Sequence, residues 1–132
     1  MKPSLAPGAT AEVRHRVVTD HLVSRYSSAG PAVLSTPWLL FFMEHAAFDA
    51  LLPHLDEGEH SVGIGFDFQH LAPTLAGATV VATAEVLEIN GNQVTLRFEA
   101  RDDKEVIGRG THVRAVLELD RFQKRIQRKS RG

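Results

Sequence analysis

One carboxylate interrupts the longest apolar stretch of this 132-residue chain. Glu44 is the only formally charged side chain between Arg25 and Asp49, and it sits within the run WLLFFMEHAAF. Burying a carboxylate there costs several kcal/mol unless hydrogen bonds or an opposite charge compensate. Glu44 is therefore either a hydrogen-bonded structural residue or a carboxylate held for acid–base or nucleophilic work. His70 has the same parity as Val62, Ile64, Phe66 and Phe68, so it ends the apolar face of a strand-like run. That face is expected to pack on the segment carrying Glu44. A single His in such a place is more often a hydrogen-bonded core residue. Two ionisable groups on facing apolar surfaces point instead to a functional site.

Thr36 adds a hydroxyl where the apolar segment begins. It can serve as a plain helix N-cap, or it can join the unpaired N–H groups and the helix dipole in stabilising an oxyanion of acyl transfer. The two roles can coexist. Gly63 and Gly65 either permit strand curvature or let a ligand approach the backbone. His112 and Arg114 share one strand face, and Arg114 is either a solvated charge or the partner of a buried carboxylate or a ligand phosphate. The remaining histidines have no metal-ligand spacing such as H-E-x-x-H, and no G-x-S-x-G, phosphate-binding glycine loop or dinucleotide fingerprint occurs.

The elements that must hold these residues are legible in outline. Pro37 near the start and Pro53 at the end bracket one helix, 37–52, capped by Ser35 or Thr36. Its first two turns are apolar on nearly every face, so other structure must wrap it. Residues 11–19 read as a strand and 24–31 as a loop. Residues 61–70, 78–89, 93–101 and 105–119 read as four further strands, the last with Val113, Ala115, Leu117 and Leu119 on one face. Asn90-Gly91 is the dipeptide of a type I′ hairpin. Short connections make these strands antiparallel. Strand, helix, then four strands is an α+β plan, a curved antiparallel sheet around one long helix as in a hot-dog fold, although other curved-sheet folds share the pattern.

Length and composition set the outer limits. The chain is long enough for one core and one domain. It has no cysteine, which excludes disulfides, thiolate metal sites and a Cys nucleophile. The N-terminal residues contain no apolar signal-peptide core, and no apolar run approaches membrane-spanning length, so a cytoplasmic protein without membrane association is expected. Through Asp120 the chain carries nine Lys/Arg against sixteen Asp/Glu, a balance of −7 that argues against nucleic acid as a partner. Residues 121–132 hold the other six cations. They are expected to be a solvated, frayed end or a contributor to binding an anionic ligand.

At these residues the sequence resembles a known family. STPWLLFFMEHAAFDALLPHLDEGEHSVG, the stretch HLAPTLAG from His70 to Gly77, and GRGTHVRAVLELDRF resemble the fluoroacetyl-CoA thioesterase-like group of hot-dog thioesterases, over residues 33–125. The resemblance implies Thr36, Glu44 and His70 as the reacting group, with Gly63 and Arg114 as matching substrate-site positions. It implies no cofactor, an acyl-CoA substrate, and a homodimer with active sites at the interface. Glu44 would attack the thioester or activate a water, and His70 would shuttle protons. A hot-dog hydratase is the second enzymatic reading, weakened because Asp67 lies on the strand face opposite His70. A dimeric acyl-CoA-binding module is the non-catalytic one. The resemblance also has a gap: the family's fluoroacetyl-specific members carry lid phenylalanines before the Thr, and this chain has no Phe before Phe41.

Overall fold

The computed structural model describes residues 1–132. The apolar segment forms α1, Thr36–Leu51, and Leu39, Phe42, Met43, Ala46, Ala47, Ala50 and Leu51 are buried. Ser35 is the N-cap residue, and its carbonyl accepts the first helical hydrogen bond from Leu39 N–H at 3.0 Å. A one-turn 3-10 segment at Leu52–His54 takes up Pro53, which cannot continue the ladder.

Five antiparallel strands wrap this helix: β1 (Thr10–Arg16), β2 (Glu59–His70), β3 (Thr79–Asn90), β4 (Gln93–Arg101) and β5 (Val106–Glu118), in the order β1-β3-β4-β5-β2. The inward row of β3 is Val80, Ala82, Ala84 and Val86, and that of β4 is Val94, Leu96, Phe98 and Ala100, all buried. Alanines meet across these strands, Ala82 opposite Ala100, where the helix offers Ala46, Ala47 and Ala50. Small residues on both sides let helix and sheet approach closely. Each fully buried Leu, Val, Met or Phe of this layer contributes about 1.5–3 kcal/mol. Gly108 on β5 is part of the same fit, because a Cβ there would stand 2.9 Å from Leu39 Cδ2.

Several expectations change in the structure. The β3–β4 hairpin exists, but Asn90 pairs with Gln93, so Gly91 and Asn92 form the turn. Gly91 has φ +62° and no non-glycine residue has positive φ, which is the φ pattern of a type II′ turn rather than I′. On β5 His112, Arg114 and Val116 are buried, while in the row of Val113, Ala115, Leu117 and Leu119 only Ala115 is. Leu119 starts a second helix, α2, Leu119–Arg131, where a frayed end was expected. A bulge between Gly63 and Gly65 shifts the β2–β5 register, so the alternation expected through 62–70 does not run unbroken. No helix is long and apolar enough to cross a membrane.

Candidate active site

The bulge decides which side chains of β2 look inward. Before it, Ser61 is buried and Gly63 faces the helix; a Cβ at Gly63 would meet Glu44 Oε2 at 2.6 Å and His112 Cε1 at 3.0 Å. After it the parity reverses. Phe66 stacks on the His112 ring at 4.3 Å, Phe68 meets Phe98, and His70 reaches Thr36. Ile64 sits at the bulge and points out, 50% exposed. Val62, Ile64 and Phe66 therefore do not share a face, because one extra residue exchanges inside for outside.

Glu44 lies in a network anchored by Arg114. The Arg114 guanidinium is 4% exposed and donates from Nη1 to Glu44 Oε2 at 3.0 Å, from Nε to Ser61 Oγ at 3.0 Å, and from Nη2 to the Ser61 carbonyl at 3.0 Å. The Phe48 ring lies 5.6 Å from its central carbon. His112 completes the arrangement. Its Nδ1 is 2.8 Å from the Gly65 carbonyl, which can only accept, so the proton is assigned to Nδ1. Nε2 is then free to accept from Arg114 Nη1 at 3.1 Å. Burial lowers the His112 pKa, as does the Arg114 charge, while the Gly65 bond and Glu44 oppose the shift. A neutral His112 makes its 4.0 Å approach to Glu44 a contact rather than an ion pair. Burial also pulls the Arg114 pKa down against the attraction of Glu44, but guanidinium stays protonated at working pH. The Glu44 side chain is one-third exposed, and its Oε1 makes no hydrogen bond within the chain.

Thr36 and His70 form a second cluster. Thr36 Oγ1 and His70 Nδ1 are 2.8 Å apart. With the His70 proton on Nε2, the Thr36 hydroxyl donates to Nδ1. Burial lowers the His70 pKa, with the backbone of Ala72 partly opposing, so the neutral ring is favoured. Two buried polar atoms here, His70 Nε2 and Ser35 Oγ, make no hydrogen bond. Because Ser35 holds the N-cap position, Thr36 is not the plain cap that sequence allowed; its hydroxyl is committed to His70.

The five positions expected in the site are thus gathered into two clusters on one helix. Glu44, Gly63 and Arg114 meet, and so do Thr36 and His70. No hydrogen bond or ion pair joins the clusters within the chain, and eight helical residues separate Thr36 from Glu44 by about 12 Å along the axis. A cavity of about 400 Å³ opens beside Glu44, walled by Phe41, His45, Phe48, Val62 and Gly63. A larger trough of about 860 Å³ runs over the outer sheet face among Glu12, Thr83, Glu99 and Arg109, and it holds none of these groups. Sequence reasoning missed Ser61 and the role of His112. The inward parity of His112 with Arg114 on β5 was the available signal.

A five-stranded antiparallel sheet curled around one buried helix, with a carboxylate at mid-helix and a hydroxyl at its N-terminus, defines a hot-dog protein of the thioesterase type. Comparison with known proteins narrows the class. The model of the fluoroacetyl-CoA-specific thioesterase (FlK) family matches residues 17–120. The fluoroacetyl-CoA thioesterase of Streptantibioticus cattleyicolor is 37% identical over 100 residues, covering 76% of this chain and 72% of its own. A crystal structure of the fluoroacetyl-CoA thioesterase FlK superposes with TM-score 0.89 at 30% identity, over 96% of this chain and 98% of that one. A thioesterase-superfamily protein from Thermus thermophilus gives TM-score 0.91 at 30% identity, over 99% and 96%. The chain belongs to the fluoroacetyl-CoA-specific thioesterase family, and it is a thioester hydrolase.

Proposed function

We propose that this acyl-CoA thioesterase hydrolyses small and medium acyl-CoA thioesters to the free acid and CoA, with Glu44, Thr36 and His70 as reacting groups. The observation that carries the reading is the Glu44 carboxylate. One of its oxygens is fixed by a buried guanidinium and the other is free beside a cavity lined by Phe41, Phe48 and Val62 together with polar groups. The thioester carbonyl binds at the start of α1, where unpaired N–H groups stabilise the developing oxyanion and Thr36 holds His70 in place. Glu44 either takes a proton from the attacking water or attacks the carbonyl carbon itself. In both routes the C–S bond breaks on collapse of the tetrahedral intermediate, and the departing thiolate takes a proton relayed by His70. The proton is the one Glu44 took from water, or on the covalent route one that His70 regains from the water of the second step. On the acyl-glutamate route, water then cleaves the mixed anhydride.

The working unit in this reading is a homodimer in the cytoplasm. β2 is an edge strand, paired only with β5, and Ile64 and Phe66 stand exposed along it. Such an edge calls for cover. Antiparallel pairing of β2 with its copy about a two-fold near Phe66 and Asp67 sets His70 of one protomer opposite Gly63 of the other. The Thr36–His70 cluster of each protomer then meets the Glu44 cluster of its copy, which closes the 12 Å gap. Light scattering at micromolar concentration tests this; a monomer that retains full turnover would refute it.

The acyl range is broader than fluoroacetyl. Rejecting acetyl-CoA requires more than the roughly 1–3 kcal/mol that contacts with so small a group supply, so it calls for an added device such as an aromatic lid. Residues 22–35 carry no Phe, and their one aromatic, Tyr26, is 62% exposed. The test is thiol release from fluoroacetyl-, acetyl-, butyryl- and phenylacetyl-CoA. Turnover of several is expected. No hydrolysis of any would refute the enzymatic reading, and a preference for fluoroacetyl-CoA of about 1,000-fold, near 4 kcal/mol, would refute the open acyl range.

A further inference from the structure

Helix α2 has no charge partner anywhere in the fold. Arg121, Lys124, Arg125, Arg128, Lys129 and Arg131 are exposed, and none makes an ion pair. Arg121, Lys124, Arg125 and Arg128 follow i, i+3, i+4, i+7 spacing and form one continuous stripe. Like charges at these spacings repel, so the stripe weakens its own helix unless an anion lies on it. Thirteen residues are also marginal for a helix without packing, and only Phe122 is even half-buried. The acidic residues Glu118 and Asp120 stand at the first turn, and the cations occupy everything after it.

We propose that this stripe holds the phosphates of the CoA moiety, an inference that rests on the acyl-CoA reading above and extends it to a second subsite. Reach supports it. Arg114, beside the cavity, and Glu118, where α2 begins, are four residues apart on β5, or about 13 Å. The pantetheine arm between the thioester sulfur and the first phosphate has about thirteen bonds, the backbone length of roughly four extended residues. A thioester at Glu44 with its arm along β5 therefore places the diphosphate and 3′-phosphate at the start of the cationic stripe. Charge supports it as well. Residues 1–120 carry −7, a field that repels a substrate bearing about four negative charges. A cationic helix that begins about 13 Å along β5 from the cavity opposes that field where the phosphates would lie. The same −7 disfavours an anionic membrane as occupant, and the apolar edge of α2 consists only of Leu119, Phe122 and Ile126, with Phe122 already partly covered.

The test uses the full chain with Arg121→Gln, Lys124→Gln, Arg125→Gln and Arg128→Gln combined; all four side chains are exposed, so the core is untouched. Calorimetric affinity for CoA should fall at least about tenfold, and KM for acyl-CoA should rise by a similar factor. KM for the corresponding acyl-pantetheine and kcat for both substrates should stay as they are. Raising salt from about 50 to about 300 mM should reproduce the loss in the unmodified protein. Unchanged CoA affinity, or equal KM effects on both substrates, would overturn the proposal. So would variant-sensitive sedimentation with phosphatidylserine vesicles at unchanged CoA affinity. Binding of CoA needs no turnover, so an absence of hydrolysis would count against the enzymatic reading while calorimetry still decided this one.

Discussion

The two clusters along α1 differ in how completely they are satisfied. Around Glu44, the guanidinium of Arg114, both polar groups of Ser61 and both nitrogens of His112 have partners within 3.1 Å. Around Thr36, one hydrogen bond joins two residues, the Ala72 backbone stands against the His70 ring, and the buried Ser35 Oγ has no partner. A finished network holds a charge in one orientation, while orphaned atoms leave room for a ligand to supply what is missing. The Glu44 end thus reads as a preorganised reagent, and the Thr36 end as the receiving side for a polar group such as a thioester carbonyl.

The sharpest way to break this comparison is to remove the reagent from each side. Glu44→Gln keeps an oxygen for Arg114 but loses the basic carboxylate, and His70→Ala removes the ring beside Thr36. Each should lower kcat at least about 100-fold. Full activity in Glu44→Gln with an intact circular dichroism spectrum would sink the mechanism. Arg114→Met comes next and separates the ends thermodynamically. Breaking a buried ion pair costs about 3–5 kcal/mol, and the one-third exposure of Glu44 reduces that to about 2 kcal/mol, read as a Tm lower by several degrees in calorimetry. A Tm unchanged from the parent would mean that the Arg114–Glu44 pair contributes nothing to stability.

Smaller changes sharpen the contrast. Gly63→Ala introduces a methyl that must displace the Glu44 carboxylate held by Arg114 and press on the buried His112 ring, so kcat should fall about tenfold and Tm should fall as well, by no more than in Arg114→Met. Thr36→Ala should also lower kcat about tenfold, but without the loss of about 1 kcal/mol that accompanies removal of a cap, because Ser35 is the N-cap. A clear drop in Tm for Thr36→Ala would restore the structural role. The smallest effect is on pH dependence. Burial holds His15, His70 and His112 below the ordinary value of 6.5. Just below pH 6.5 the unfolded chain therefore binds more protons than the folded one. Stability should be full above 6.5 and decline as pH falls toward the lowered folded values. Tm measured from about pH 7.5 down to about 5.5 should decrease, and an increase would contradict the burial of these rings.

Much of this architecture could be read before any coordinates. The helix expected at 37–52 is Thr36–Leu51, and the strands expected at 78–89 and 93–101 are Thr79–Asn90 and Gln93–Arg101, because period and proline placement are local signals. Glu44 was conspicuous because a lone charge in an apolar helix demands a partner, and Arg114 is that partner. What sequence could not convey was non-local. The inward face of β5 is its more polar row, because His112 and Arg114 are covered by β2 aromatics and the helix rather than selected by hydropathy. Alternation through 61–70 hid a bulge, since an extra residue leaves no mark when glycines flank it. Six cations in twelve residues looked like a disordered end, yet Leu119, Phe122 and Ile126 at helical spacing were already present.

The Gly63–Gly65 bulge acts as a phase shift of half a period in the strand's inside–outside alternation. Gly63 and His70 are seven residues apart, an odd interval that in an ideal strand would put them on opposite faces. Both face the helix here only because the ladder slips between them. Deleting Ile64 would mend the ladder and bring Gly63 and His70 into an even interval, so a regular strand would still present both to the helix. Their partners on β5, Arg114 and Gly108, are already six residues apart, so the pairing of both residues would be kept. Natural variation in this segment should accordingly tolerate changes of side chain at residue 64, and even its loss, better than a deletion between Gly65 and His70 that leaves the bulge in place.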